Sequence, residues 1–146
     1  MDTKAKLEAD CLVLLDDVPL HNLIADKMLG YNNLLMPRQI FSEAQDLLDF
    51  LHKPADELPK RILMLVDLMM PEMSGLDIAE HVLELPQEVQ SRCRMFIVSS
   101  TIDDRDIEAI EQHPAVECFL NKPLDASRVS DILQQPVPNG KWGTAA

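Results

Sequence analysis

Hydrophobic residues along this chain follow two alternating rhythms: short uninterrupted apolar runs, and longer segments in which apolar residues recur every three or four places. Runs of the first kind read as strands buried on both faces, as inside parallel sheets, and segments of the second kind as amphipathic helices. The most pronounced run, Ile62-Leu-Met-Leu-Val66, ends in a single carboxylate, Asp67, with Pro71 and Gly75 following. Cys11-Leu-Val-Leu-Leu15 is a second run and ends in Asp16 and Asp17. Met95-Phe-Ile-Val98 leads into Ser99, Ser100 and Thr101, and Val116 to Leu120 leads into Asn121, Lys122 and Pro123. A weaker run, Leu34-Leu-Met36, predicts the remaining strand.

The helical segments lie between these runs. Pro19 suits a first helical turn, and Leu20, Leu23, Ile24 and Met28 follow at helical spacing as far as Gly30, which can close a helix. Ser42 and Gln45 have the spacing of a capping box, and Ala44, Leu47, Leu48 and Leu51 make one apolar face ending near His52. Lys53 to Lys60, with Pro54 and Pro59, reads as a loop. Ala79, Val82 and Leu83 repeat at helical spacing until Pro86 stops them. Asp103 to about His113 reads as an acidic, exposed helix with Ile107 and Ile110 turned inward. The last helix, about Ala126 to Gln134, is capped by Asp125 and buries Val129, Ile132 and Leu133. Strand and helix alternate five times, so the chain reads as one (βα)5 domain: a parallel sheet with right-handed crossovers and helices on both faces. Residues 1–9 form a polar lead-in, 10–135 the domain, and 136–146 a tail whose one strong contact-maker is Trp142.

Composition supports a single globular unit. At 146 residues, 47% hydrophobic and 26% charged, the chain has the length and make-up of one soluble domain with a proper core. No apolar run approaches the roughly 18 to 20 residues that cross a bilayer, and the first ten residues lack the apolar core of a signal peptide, so a cytoplasmic protein is expected. Thirteen basic against 25 acidic residues give a net charge of -12, which argues against sequence-independent nucleic-acid binding because phosphates would go unneutralised. Cys11, Cys93 and Cys118 have no C-x-x-C spacing and read as small core residues in a reducing compartment.

The strand ends carry the candidate chemistry. In the doubly wound order 2-1-3-4-5 the topological switch lies between the first and third strands, which brings Asp16, Asp17 and Asp67 together at the carboxyl edge where ligands bind. Ser99 and Lys122 close the next two strands. Three adjacent carboxylates repel one another unless a cation neutralises them, and Mg²⁺ (or Mn²⁺) is the natural guest for an oxygen-only donor set. A carboxylate beside such a metal can attack a phosphoryl group and form an acyl phosphate, with Lys122 and the Ser99 hydroxyl holding the phosphoryl oxygens. Taken alone, each of these residues is better explained as a turn former, a loop hydroxyl or a solvated charge; the conjunction is what points to a site.

The set Leu15-Asp16-Asp17, Val66-Asp67-Leu68-Met69-Met70-Pro71-Glu72-Met73-Ser74-Gly75, Val98-Ser99-Ser100 and Asn121-Lys122-Pro123 resembles the receiver domain of two-component response regulators, over about residues 10 to 135. The resemblance implies a three-layer, flavodoxin-like (βα)5 fold in the order 2-1-3-4-5. It implies that Asp67 accepts a phosphoryl group from a phosphohistidine on a sensor histidine kinase or histidine phosphotransfer protein. Asp17 and Asp67 would bind the metal directly, Asp16 mostly through water, and the Met69 backbone carbonyl would complete the protein ligands. Ser99 and Phe119 would be the switch pair, and Lys122 would contact the phosphoryl group, with its bond to Pro123 cis. The segment Ser99-Ser-Thr-Ile-Asp-Asp-Arg-Asp-Ile-Glu108 further resembles single-domain bacterial receivers, so signalling is expected by protein contact through the fourth helix, fifth strand and fifth helix, as a monomer or phosphorylation-dependent homodimer. No nucleic acid, membrane or enzymatic turnover is implied, and the downstream target is open. Ser99 and Phe119 stand where Thr and Tyr are commoner, and Met69 where a polar residue is frequent; Met69 is expected to shield the acyl phosphate from water. An aspartyl-phosphate phosphohydrolase would need an Asp at position 69, and a pseudo-receiver would lack part of the set.

Overall fold

The computed structural model describes residues 9–101, 103–138 and 140–144. Within them the chain alternates β1 (Cys11–Leu15), α1 (Pro19–Tyr31), β2 (Arg38–Phe41), α2 (Ala44–Leu51), β3 (Ile62–Asp67), α3 (Gly75–Leu83), β4 (Cys93–Ser99), α4 (Asp104–Gln112), β5 (Val116–Asn121) and α5 (Ala126–Gln134). A 3-10 turn, Ala55–Glu57, and a single-turn helix, Gln87–Gln90, lie in the connections. The strands form one parallel sheet in the order β2-β1-β3-β4-β5.

Successive strand residues point to opposite faces, so each apolar run feeds two cores. Val13, Met64, Val66, Met95 and Ile97 pack on one side with Leu47 and Leu51 of α2, Ile78 and Val82 of α3, and Ile110 of α4. Leu12, Leu14, Leu63, Leu65, Phe96 and Val98 pack on the other with Leu29 of α1 and Val129 and Ile132 of α5. Burying a side chain of this size is worth about 1.5–3 kcal/mol. This explains why β1, β3 and β4 carry continuous hydrophobic runs: each is covered on both faces.

The structure corrects four local expectations. β2 is Arg38–Phe41 and not Leu34–Met36. It is an edge strand, only half buried, so it lacks the apolar run of its neighbours; Arg38 anchors it by donating to the Met36 carbonyl at 2.7 Å and pairing with Asp26. α1 does not stop at Gly30 but runs to Tyr31, and it closes through Asn33 in the left-handed region (φ 64°). Asn33 N–H donates to the Gly30 carbonyl and Leu34 N–H to the Leu29 carbonyl, the Schellman pattern, with Asn in the place Gly usually takes. The Ser42/Gln45 capping box is absent, because α2 begins one residue later behind Glu43 and Gln45 bonds Asp49 instead. A real capping box stands at the start of α3, where Ser74 and Asp77 bond each other's backbone N–H. Leu83, expected on the inward face of α3, is partly exposed. At α5, Asp125 caps the helix and Val129, Ile132 and Leu133 are buried, as the pattern predicted. Cys11 and Cys93 are buried and Cys118 half-buried, all three as free thiols.

Candidate functional site

All the strand-end residues singled out above meet at one edge of the sheet. The parallel register sets Leu15 beside Val66, Asp67 beside Val98, and Ser99 beside Asn121, so Asp16, Asp17, Asp67, Ser99 and Lys122 emerge together. One carboxylate oxygen from each of Asp16, Asp17 and Asp67 can be chosen so that all lie within 4.8 Å of one another. Asp16 and Asp67 are buried and Asp17 is half-buried.

Lys122 is the cation of the cluster. Its Nζ donates to Asp16 Oδ2 at 2.7 Å and lies 3.2 Å from Asp67 Oδ1. Burial works against the charged Lys122, but the two carboxylates outweigh it and its pKa is raised. Asp67 is also raised: burial disfavours its anion, Asp16 and Asp17 add repulsion, and Lys122 offsets only part of this. One ammonium facing three carboxylates leaves excess negative charge on oxygen donors alone, a set that fits a hard divalent cation. Asp16 has little donor capacity to spare. Its Oδ1 accepts Val18 N–H at 2.9 Å, and its Oδ2 faces both Lys122 and His21 Nδ1, the latter at 3.2 Å.

Ser99 is buried at the end of β4, where its Oγ accepts the Thr101 N–H at 3.1 Å and its carbonyl accepts the Lys122 N–H at 2.9 Å. Phe119 is half-buried on β5 and packs against the α2/α3/α4 core. The Lys122–Pro123 peptide is cis, as expected. Met69 follows Asp67 by two residues with its side chain 70% exposed. Gly75 has a role not foreseen from the sequence: a Cβ there would lie 2.7 Å from the Asp67 carbonyl oxygen and 2.8 Å from Ile97 Cδ1. The absence of a side chain lets α3 start directly against the backbone that carries Asp67.

Two further residues at the site escaped sequence reasoning. His21 reaches Asp16 from α1. Asn22, buried, donates from Nδ2 to the carbonyls of Asp16 and Phe41, both at 3.0 Å, and so ties α1 to the ends of β1 and β2. The one available signal was a polar residue interrupting the apolar spacing of α1.

That spacing itself has an unusual outcome. An apolar stripe ordinarily faces the core, yet Leu20, Leu23 and Ile24 are 59%, 50% and 56% exposed, and among the described residues only Asn22 and Leu29 of α1 are buried. Beside the helix a groove of about 450 Å³ runs to Asp16, Asp67 and Lys122, walled by Ile24, Ala25 and Met28 on one side and Leu124 on the other.

No protein-family model matches this chain, and no curated protein matches it. Solved structures do. It is similar to a response regulator receiver protein from Dyadobacter fermentans, at 29% identity and TM-score 0.79, over 92% of this chain and 98% of that one. A two-component response regulator from Cytophaga hutchinsonii matches at 19% identity and TM-score 0.74, over 87% and 96%. A Saccharomyces cerevisiae receiver domain, co-crystallised with the histidine phosphotransfer protein upstream of it, matches at 13% identity and TM-score 0.69, over 87% and 88%.

Proposed function

We propose that this chain, which is a receiver domain of the response-regulator type, accepts a phosphoryl group on Asp67 from a phosphohistidine and passes the signal on through protein contact. The observation that carries the reading is Lys122 held between Asp16 and Asp67, with Asp17 in the same acidic cluster.

In the proposed transfer the Asp67 carboxylate attacks phosphorus, a P–O bond forms, the P–N bond to the donor imidazole breaks, and the imidazole leaves with the electron pair. A divalent metal, Mg²⁺ or Mn²⁺, held by Asp17, Asp67, the Met69 carbonyl and, through water, Asp16, would supply charge neutralisation for the incoming phosphoryl oxygens. Lys122 keeps its proton because two carboxylates face it, and it moves from Asp67 to a phosphoryl oxygen once the carboxylate charge is consumed. Ser99 Oγ gives up its bond to Thr101 N–H and donates to another phosphoryl oxygen. Phe119 follows by turning further into the core, which changes the surface of β5 between α4 and α5.

The donor is best accommodated by α1. Its outward Leu20, Leu23 and Ile24 offer an apolar surface of a kind buried in complexes, and the groove at its side leads to Asp67. The face made by α4, β5 and α5 has a different character: among the described residues none of the exposed large hydrophobics lies on it, and Asp104, Asp106, Glu108 and Glu111 are exposed there. A downstream target reading that face reads charge and the position of Phe119. Incubation with Mg²⁺ and acetyl phosphate, followed by intact mass, tests the reading. The parent gains one phosphoryl mass and Asp67→Asn gains none; a parent that stays unmodified, or an equal yield from both, overturns it.

A further inference from the structure

Glu117 has no opposite residue on β4. The pairing of β4 with β5 runs Met95 to Val116 and then Phe96 to Cys118, so β5 carries one extra residue, a bulge of a kind uncommon between parallel strands. The insertion decides what every later residue of β5 faces. Val116 packs into the α2/α3/α4 core, Cys118 against the α1/α5 core, and Phe119 into the α2/α3/α4 core again. Strict alternation from Val116 would reverse Cys118 and Phe119, since a one-residue slip turns each side chain to the other face. The bulge is therefore what puts Phe119 on the core it packs into, and it sets the frame in which Lys122 leaves the strand.

A built cluster holds the extra residue. Arg94, on β4 and 1% exposed, donates from Nε to Glu117 Oε1 at 2.6 Å and from Nη2 to Oε2 at 3.0 Å. Trp142, from the segment after α5, lies over the guanidinium at 4.6 Å. The tryptophan is fixed in turn: its N–H donates to the Ser91 carbonyl at 2.8 Å and its Nε1 to the Arg92 carbonyl at 2.9 Å. Lys141 Nζ adds a bond to the Gln90 carbonyl. Arg94 Nη1 is buried with no hydrogen-bond partner among the described residues. Arg94 is buried and Glu117 half-buried; a charge pair that leaves a buried nitrogen unsatisfied is a poor source of stability compared with apolar residues of the same volume, and its attested use is specifying one arrangement over another. None of these groups bonds Asp16, Asp17 or Asp67, so phosphoryl chemistry does not account for them.

We infer that Arg94 and Glu117, roofed by Trp142, are positioning residues: they lock the extra residue into β5 and thereby place Phe119 and Lys122 for phosphoryl transfer and switching. The inference rests on the reading of Asp67 as phosphoacceptor. Its test measures the rate of phosphorylation by acetyl phosphate, Mg²⁺ affinity by calorimetry, and the thermal midpoint. Glu117→Ala is expected to slow phosphorylation by about tenfold to a hundredfold, the cost of misplacing a reacting group by on the order of 1 Å. Mg²⁺ affinity stays undiminished, because the carboxylates lie at the ends of β1 and β3 and not on β5. The double variant Arg94→Met/Glu117→Leu removes both charges together, recovers the thermal midpoint and keeps the slow rate; it carries the test alone if Glu117→Ala does not fold. A rate that recovers with the midpoint makes the pair merely structural and overturns the inference, as does a Glu117→Ala protein that reacts like the parent or loses Mg²⁺ affinity along with rate. A parent that takes up no phosphoryl group instead overturns the reading of Asp67, and the inference falls with it.

Discussion

Lys122 Nζ comes within 3.2 Å of Asp67 Oδ1, yet Asp67 still holds its proton more tightly than an ordinary carboxyl. Burial is the main cause, Asp16 and Asp17 add to it, and one shared ammonium does not cancel the sum. Without metal, the folded state therefore binds the Asp67 proton better than the unfolded state does. Stability falls as pH rises from the unfolded value of 3.8 through the higher folded value, and the penalty is complete above that window. At pH 7 in a chelator, Asp67→Asn should melt at a higher temperature than the parent, and the gain should vanish when pH is taken below 3.8. Mg²⁺ reverses the order, since a ligand at about 100 times its Kd adds about 2.7 kcal/mol to the form that binds it. Calorimetric scans in chelator and in Mg²⁺ check both halves, and an Asp67→Asn protein that melts lower than the parent in chelator contradicts the first.

If the donor docks on the outward stripe of α1, a substitution there should separate docking from chemistry. Ile24 is 56% exposed and also walls the groove that leads to Asp67. Replacing it with Lys puts a charge where a donor would bury apolar surface, at a cost of about 2 kcal/mol or more for a central anchor. Transfer from a purified phosphohistidine protein should slow by more than about tenfold, since each 1.36 kcal/mol is a factor of ten. The rate with acetyl phosphate should not change, because a small donor needs no helix face. Equal effects on the two donors would place Ile24 in the chemistry and refute a docking role.

How much of this was readable beforehand depended on how local the determinant was. β1, β3 and β4 are covered on both faces, so their burial is written as continuous apolar runs, and the acids and Ser99 that end them were legible at once. β2 was misplaced because an edge strand carries no such run and is held by Arg38, a residue that strand propensity does not favour. The exposure of α1 was invisible because helical spacing shows that a stripe exists and not which way it faces. The bulge at Glu117 was equally hidden: its cause is a pairing with Arg94 on another strand, covered by Trp142 from a segment that read as a tail.

Two glycines should respond in opposite ways to the same substitution. A Cβ at Gly75 would press on the Asp67 carbonyl oxygen at 2.7 Å and Ile97 Cδ1 at 2.8 Å, and backbone cannot yield as a side chain tip can. Gly75→Ala should cost about 1–3 kcal/mol as overpacking and slow phosphorylation by shifting Asp67. Gly30, inside α1, would meet nothing within 4 Å. Gly30→Ala should gain about 0.4–1 kcal/mol by reducing the freedom of the unfolded chain. Urea unfolding of the two variants beside the parent reads both, and a stabilised Gly75→Ala protein would show that α3 does not press on the Asp67 backbone.

Met69 is expected to lengthen the life of an acyl phosphate on Asp67. It stands two residues after Asp67, and its side chain, 70% exposed, can neither accept nor donate a strong hydrogen bond to a water above the phosphoryl group. Hydrolysis requires that water to be aligned with phosphorus and relieved of a proton, and a thioether does neither. An amide in its place can hold the water by its oxygen, a contribution at or below the low end of the hundredfold and upward that positioned proton-transfer groups supply. Met69→Asn should therefore lose its phosphoryl group faster than the parent, by about tenfold, while gaining it from acetyl phosphate at a similar rate. Phosphoprotein decay followed by intact mass after donor removal, in Mg²⁺ at fixed pH, makes the comparison. A decay rate equal to the parent's would mean that water reaches the phosphorus by a path that does not pass residue 69.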